Sequence, residues 1–352
     1  MKHLIGEHIV GGFDGVTITA QLHLLVQKYH LGGFIFFRRN IENTDQVLEL
    51  TQSLQEKSEN ILWMGVDQEG GRVFRLGEPF TTIPTMAIVG EYYRRTKNKK
   101  VLFQLGKLLG TELKAVGFNW DYAPVVDVHS NPQNPIIGDR SFSPDPHVVT
   151  QCAEAVIKGL HSVGVVSCIK HFPGHGETAV DSHLKLPVVK SPGRLLWKRD
   201  VFPFRELIKK HRVPTLMTAH VKYMEFDKQN CATLSKPILT RILRGRLGYK
   251  NLIVSDDLFM KAIADRYSLA DACEQFFMAG GDIALICKEP ELQIEVIEQL
   301  EKSVSKSKAF EKKLTESYSR IKRIKKHYLK NQSRPSLEVI GCVAHKEIAN
   351  IF

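Results

Sequence analysis

The chain has 352 residues, of which 43% are hydrophobic and 25% charged, a composition typical of a globular protein and not of a disordered or coiled-coil chain. The formal net charge is +11, and 11 basic against 3 acidic residues fall between Glu301 and Lys330, so one C-terminal segment holds most of the excess. No apolar run reaches the roughly 18 residues of a membrane-spanning helix, and the N-terminus lacks the continuous apolar stretch of a signal peptide. The six cysteines contain no C-x-x-C pair, which favours a reducing compartment. We therefore expect a cytoplasmic protein.

Short apolar runs alternate with helical segments along the chain. The runs predict strands at His8–Phe13, Gly33–Phe37, Leu62–Asp67, Trp120–Val128, Val165–Phe172, Pro214–His220, Leu252–Asp257 and Ile283–Ile286. Helices are predicted between them, among them Thr19–Tyr29, Asp45–Glu56, Lys99–Val116, Val148–Ser162, Asp200–His211, Lys236–Leu247, Met260–Ala279 and Glu289–Lys302.

This alternation predicts an α/β fold with parallel strands and right-handed crossovers. Eight such units indicate a single (β/α)8 TIM-type barrel over residues 1–330 with a C-terminal helical extension, followed by a tail at 331–352. An open doubly wound sheet is the alternative. Neither G-x-G-x-x-G after the first strand nor G-x-x-x-x-G-K-[ST] occurs, so no cofactor of the dinucleotide or nucleoside triphosphate class is predicted.

The basic segment 301–330 has the pattern of a polar amphipathic helix. Such a charge run is usually a solvated helix on the outside of the fold. Nucleic acid or an anionic surface is the alternative partner. Because the segment has few aromatic residues and no recognisable nucleic-acid module, we do not expect nucleic-acid binding.

Polar residues fall where four of the predicted strands end. Asp67 ends the third strand, Lys170 and His171 lie at the end of the fifth, His220 ends the sixth, and Asp256 lies at the end of the seventh. In a barrel the carboxyl ends of all strands meet on one rim, and that rim holds the chemistry. The sequence therefore predicts an active site there.

A long loop follows the fifth strand and contains Gly174 and Gly176. Asp181 and His183, two residues apart, would share one face of an extended backbone. A carboxylate that accepts from one imidazole nitrogen raises the basicity of the other, which describes a general acid/base. The histidines could instead ligate a metal with Asp67 and Asp256, but none has helical zinc-site spacing and Lys170 would repel a cation, so no metal is predicted.

The run Lys170–His183, K-H-F-P-G-H-G-E-T-A-V-D-S-H, resembles the signature of glycoside hydrolase family 3. More narrowly, it resembles the bacterial β-N-acetylhexosaminidases of peptidoglycan recycling. The resemblance spans about Ile9 to Ile294 and includes, in the family's order, Asp67–Arg72, Ala123–Val128, Gly138–Phe142, Met217–Val221 and Ser255–Leu258.

The resemblance implies a retaining exo-glycosidase that hydrolyses terminal β-linked N-acetylglucosamine through a covalent glycosyl-enzyme intermediate. Asp256 would be the nucleophile, and His183 the general acid/base with Asp181 as its partner. The sugar would be held by Asp67, Arg140, Lys170 and His171, with His220 close to the site. The implied substrate is a small peptidoglycan fragment, N-acetylglucosamine linked to 1,6-anhydro-N-acetylmuramic acid, and we expect a monomer with no membrane partner.

Three alternatives stay open. The first is a phosphorylase, which would use the same residues. A histidine acid/base suits this reaction, because a neutral histidine repels incoming phosphate less than a carboxylate does. A β-glucosidase of the same fold would differ only in the sugar that it accepts. A sugar- or nucleic-acid-binding protein without catalysis is the third.

Overall fold

The computed structural model describes residues 2–179, 186–210, 213–330 and 333–352. Its centre is a closed barrel whose eight strands are hydrogen-bonded in chain order, and β1 closes the ring on β8. Every neighbouring pair is parallel. The strands are β1 Ile9–Gly11, β2 Gly33–Phe36, β3 Trp63–Val66, β4 Trp120–Asp121, β5 Val166–Phe172, β6 Thr215–Thr218, β7 Leu252–Asp257 and β8 Ile283–Ile286. The predicted barrel is confirmed, and the open sheet is excluded.

Helices lie around this barrel. Within the described residues they are α1 Lys2–Gly6, α2 Ala20–Gln27, α3 Thr44–Glu56, α4 Met86–Thr96, α5 Lys99–Ala115, α6 Pro146–Ser162, α7 Gly193–Lys198, α8 Val201–Lys209, α9 Pro237–Arg246, α10 Lys261–Ala264, α11 Leu269–Ala279, α12 Pro290–Lys306, α13 Lys308–Tyr328 and α14 Val343–Ala349. Short strands outside the barrel are Gln68–Gly70 with Val73–Phe74, and Val188–Val189 with Lys222–Tyr223.

The interior of the barrel is filled with side chains. A buried cluster joins residues from all eight strands, among them Trp63, Trp120 and Met217, and the Trp120 indole donates to Thr215 Oγ1 at 2.9 Å. Strands covered on both faces read as continuous apolar runs, which is why the runs in the sequence located them.

Two predicted elements differ from the structure. The fourth strand was predicted to reach Val128, but the regular strand ends at Asp121. Pairing with β5 resumes only as an isolated bridge between Val125 and Lys170, and Pro124 before it has no N–H to donate. The predicted helix Met260–Ala279 is two helices, because Ser268 accepts from the backbone N–H of Asp271 and so starts α11 anew.

The basic segment closes the barrel floor, at the amino ends of the strands. The α13 helix and the turn after it insert Ile321, Ile324 and Leu329 into the apolar cluster of the barrel interior. Lys325 is buried, and its Nζ contacts Glu7 Oε2 at 2.7 Å. The expectation of a solvated outer helix is therefore wrong for the apolar face of α13. Its apolar residues recur at helical spacing, so they lie on one side of the helix and cover the floor of the barrel.

The tail also packs against the barrel layer. Glu112 of α5 accepts from the backbone N–H of Gly341 at 2.9 Å and contacts His345 Nδ1 at 2.8 Å. Among the described residues, no helix has the length and apolar character that crossing a membrane requires.

Candidate active site

A cavity of about 570 Å³ opens at the carboxyl ends of the barrel strands. Five residues predicted for the site line it: Asp67, Arg140, Lys170, His171 and Asp256. They come from four separate parts of the sequence, and the closed barrel brings these together on one rim.

One wall of the cavity is a buried ion cluster. Lys170 Nζ lies 2.6 Å from Asp67 Oδ1 and 2.6 Å from Glu69 Oε1. Arg140 donates from Nε and Nη2 to the two oxygens of Glu69, both at 2.8 Å. Burial disfavours the Glu69 carboxylate, but the charges of Arg140 and Lys170 outweigh it and hold the pKa of Glu69 well below its ordinary value. Glu69 therefore stays ionised and fixes two cations that face the cavity.

A second buried carboxylate lies beneath the histidine loop. Asp127 Oδ1 accepts from the backbone N–H groups of His171 at 3.1 Å and His175 at 2.7 Å, while Oδ2 accepts from His171 Nδ1 at 2.7 Å. Burial would raise the pKa of Asp127, yet the neighbouring histidine and these hydrogen bonds lower it overall. The loop also needs its glycines, because a Cβ on Gly176 would lie 1.7 Å from the Val128 carbonyl oxygen.

Asp256 lies where β7 ends and lines the same cavity. Its Oδ1 accepts from the backbone N–H of Asp257 at 2.8 Å. The Asp257 carboxylate accepts from the N–H groups of Phe259 at 3.0 Å and Cys287 at 3.1 Å. Asp257 thus ties the end of β7 to the end of β8, and Asp256 is held on a rigid element.

His220 was expected close to the sugar, but it is not among the described residues that line the cavity. Its ring is fully buried, with Nδ1 2.7 Å from Thr233 Oγ1 and Nε2 2.9 Å from the Asp257 carbonyl oxygen. Both nitrogens are therefore occupied by protein, and His220 supports the strand end that bears Asp256. Asp181 and His183 lie outside the described residues.

Three functional candidates were missed by sequence reasoning. Glu69 and Asp127 were present in the motifs, but a carboxylate in a sequence does not reveal what it contacts. Arg75 lines the cavity with its Nη2 3.7 Å from Asp67 Oδ2, and its buried Nε has no hydrogen-bond partner among the described residues. In the sequence, the position of Arg75 eight residues after Asp67 was the sole indication that it could lie near the site.

Within the described part of the chain, no group of three or more His, Cys, Asp or Glu side chains is arranged to hold a metal ion. The chemistry on this rim is instead that of carboxylates, histidine and buried cations. A polar cavity at the carboxyl ends of the strands is where (β/α)8 barrel enzymes have their active sites.

The chain belongs to glycoside hydrolase family 3, since a model described as the glycosyl hydrolase family 3 N terminal domain matches residues 8–324. The family expected from the motifs is therefore confirmed. The chain is 37% identical over 332 residues to "Beta-hexosaminidase A" of Pseudoalteromonas piscicida, covering 88% of this chain and 55% of that protein. It is 37% identical over 289 residues to "Beta-hexosaminidase" of Nitrosomonas eutropha, covering 82% of each. The chain thus spans about half the length of the first relative and most of the second.

Solved structures support the same family. A family 3 beta-N-acetylglucosaminidase from Paenibacillus sp. superposes with a TM-score of 0.92 at 31% identity, over 100% of this chain and 68% of that one. NagZ from Neisseria gonorrhoeae, in complex with N-trifluoroacetyl-D-glucosamine, superposes with a TM-score of 0.77 at 29% identity, over 98% and 96%.

Proposed function

We propose that this enzyme is a β-N-acetylhexosaminidase that removes terminal, non-reducing, β-linked N-acetylglucosamine with retention of configuration. The observation that carries the proposal is that Asp256 and the cluster of Lys170, Asp67, Glu69 and Arg140 line one cavity. The cluster offers charged donors and acceptors to sugar hydroxyls, and Asp256 offers a carboxylate to the anomeric carbon. Relatives named beta-hexosaminidase and a neighbour that binds a glucosamine derivative support the same sugar.

In the proposed mechanism, the ion cluster and His171 hold the hydroxyls of the terminal sugar. Asp256 attacks the anomeric carbon and forms a glycosyl ester, while a general acid protonates the departing oxygen. The same group then takes a proton from water, and that water displaces Asp256. Asp181 and His183 are the proposed acid/base pair, on the resemblance of the loop motif, and a histidine with an ordinary pKa of about 6.5 suits both steps at neutral pH.

The proposed natural substrate is a peptidoglycan fragment in which N-acetylglucosamine is linked to 1,6-anhydro-N-acetylmuramic acid. This part of the proposal depends on the motif resemblance, and direct turnover of such a fragment tests it. The proposed location is cytoplasmic, supported by six cysteines that form no disulfide. Cell fractionation with antibody detection tests the location.

The first experiment is turnover of 4-nitrophenyl N-acetyl-β-glucosaminide, with and without phosphate. We expect free N-acetylglucosamine to be released at a rate independent of phosphate. NMR should show that the β-anomer is formed first. A phosphate-dependent sugar 1-phosphate would make the enzyme a phosphorylase, an α-anomer would refute retention, and faster turnover of the matching glucoside would make it a β-glucosidase.

The variant that tests the nucleophile is Asp256→Asn. We expect kcat to fall by at least about a thousandfold while N-acetylglucosamine still binds, because the hydrogen-bonding cluster is untouched. Glu91→Gln is the control, since Glu91 pairs with Arg94 on an exposed face of α4 and neither residue lines the cavity. Near-normal turnover by Asp256→Asn would remove Asp256 as the nucleophile.

A further inference from the structure

Asp127 is a buried anion that serves one segment of the active site. It is completely buried, it does not line the cavity, and its two oxygens take three N–H donors from His171 and His175. It therefore acts on a bound sugar only through the groups that it holds.

The geometry determines which nitrogen of His171 carries the proton. The ionised Asp127 Oδ2 lies 2.7 Å from His171 Nδ1 and has no proton to donate, so Nδ1 must be the protonated nitrogen. In the neutral ring, Nε2 then has a lone pair. His171 lines the cavity, and its Nε2 has no hydrogen-bond partner among the described residues. The acceptor side of the ring is thus available to a ligand.

We propose that Asp127 is a positioning residue that fixes His171 in the Nδ1–H tautomer, so that Nε2 accepts a hydrogen bond from a sugar hydroxyl. The same carboxylate holds the His175 backbone, and so keeps the start of the loop at one distance from the cavity. The sugar-binding part of this inference rests on the proposed function, whereas the tautomer of His171 does not depend on it.

The test variant is Asp127→Asn, which keeps the shape and removes the charge. The amide oxygen would remain on the two backbone N–H groups, and the amide nitrogen would then face His171 Nδ1. Two donors cannot pair, so the ring proton would move to Nε2, and a donor would replace the acceptor in the cavity. The loss of a hydrogen bond to a charged group typically changes an equilibrium constant by about 10- to 100-fold. We therefore expect kcat/KM of Asp127→Asn to fall by about 10- to 100-fold.

A double-mutant cycle separates positioning from a purely structural role. In a His171→Ala background, Asp127→Asn should lower kcat/KM by less than about threefold, since the group through which Asp127 acts is gone. An equal loss in both backgrounds would overturn the proposal. The matched control is Ser141→Ala, because Ser141 Oγ donates to the main-chain carbonyl of Asp127 at 2.6 Å and does not touch its carboxylate. We expect this control to stay within threefold of the wild type.

A spectroscopic readout needs no substrate, and its wild-type arm needs no variant of Asp127. In ¹⁵N-histidine-labelled wild-type protein, the His171 signals are assigned by their loss in His171→Ala. We expect Nδ1 to carry the proton at neutral pH, and Nε2 to carry it in Asp127→Asn. A wild-type ring protonated only at Nε2 would overturn the proposal. If the wild type turned over no N-acetylglucosaminide, the proposed function would fail, and the tautomer would still decide the role of Asp127.

Discussion

Replacement of Glu69 by glutamine should destabilise the protein by about 3–5 kcal/mol, the usual cost of breaking a buried ion pair from one side. Glu69 has a side chain that is 1% exposed and accepts from Arg140 twice and from Lys170 once. A glutamine can accept through one oxygen only, and its amide would face a guanidinium donor. Arg140 would therefore stay buried without its carboxylate partner, while Lys170 would keep its contact with Asp67.

This contribution depends on pH in a defined direction. Since the pKa of folded Glu69 lies below its unfolded value of about 4.3, its stabilisation is complete above that pH and is lost as pH falls toward the folded pKa. Between about pH 6 and pH 3 the difference in unfolding free energy between wild type and Glu69→Gln should narrow by about 2 kcal/mol. The sign is that of a group whose pKa is lowered by folding.

The assay is urea unfolding at several pH values, followed by circular dichroism, with melting temperature as a second measure. At roughly 2 °C per kcal/mol, the melting temperature at neutral pH should fall by about 6–10 °C. Asp139→Asn serves as the control, because its ion pair with Arg72 is exposed and contributes under about 1 kcal/mol. A Glu69→Gln protein within 1 kcal/mol of wild type, or a difference that widens on acidification, would show that Glu69 does not stabilise the fold as an ionised partner of Arg140 and Lys170.

Three further predictions concern other parts of the molecule. Arg75→Gln should raise KM for an N-acetylglucosaminide by about 10- to 100-fold with little change in melting temperature, because its guanidinium faces the cavity; unchanged kinetics would contradict this. Asp282→Asn should cost about 3–5 kcal/mol in urea unfolding, since this buried carboxylate holds two arginines beneath the barrel. Burial lowers the pKa of His8 to about 4. The His8 contribution to the free energy of unfolding should therefore fall by about 2.4 kcal/mol between about pH 7 and pH 4.5, and His8→Gln should lose less stability over the same range.

The barrel was predictable because its signal is local. Strands that are covered on both faces must be apolar throughout, and each helix between them has one apolar stripe, so a single sequence reveals both periods. The short fourth strand was not predicted correctly, because the apolar run from Trp120 to Val128 continues after the ladder has ended. The sequence did not predict that α13 covers the barrel floor. The many charged residues of this helix obscure its narrow apolar stripe, and that stripe packs against barrel residues that are distant in the sequence.

The class of fold, the family and the groups on the carboxyl rim, including Asp67, Lys170 and Asp256, could be predicted from the linear chain. These follow from residue types at strand ends and from motif order, which the linear chain contains. Which carboxylate faces the cavity, and which one supports it from below, became visible in the folded barrel alone. Glu69 and Asp127 act through partners about 70 and about 45 residues away, and His220 turned inward to the backbone of Asp257. Such pairings depend on the distances that barrel closure creates between strands, and no spacing along the chain encodes them.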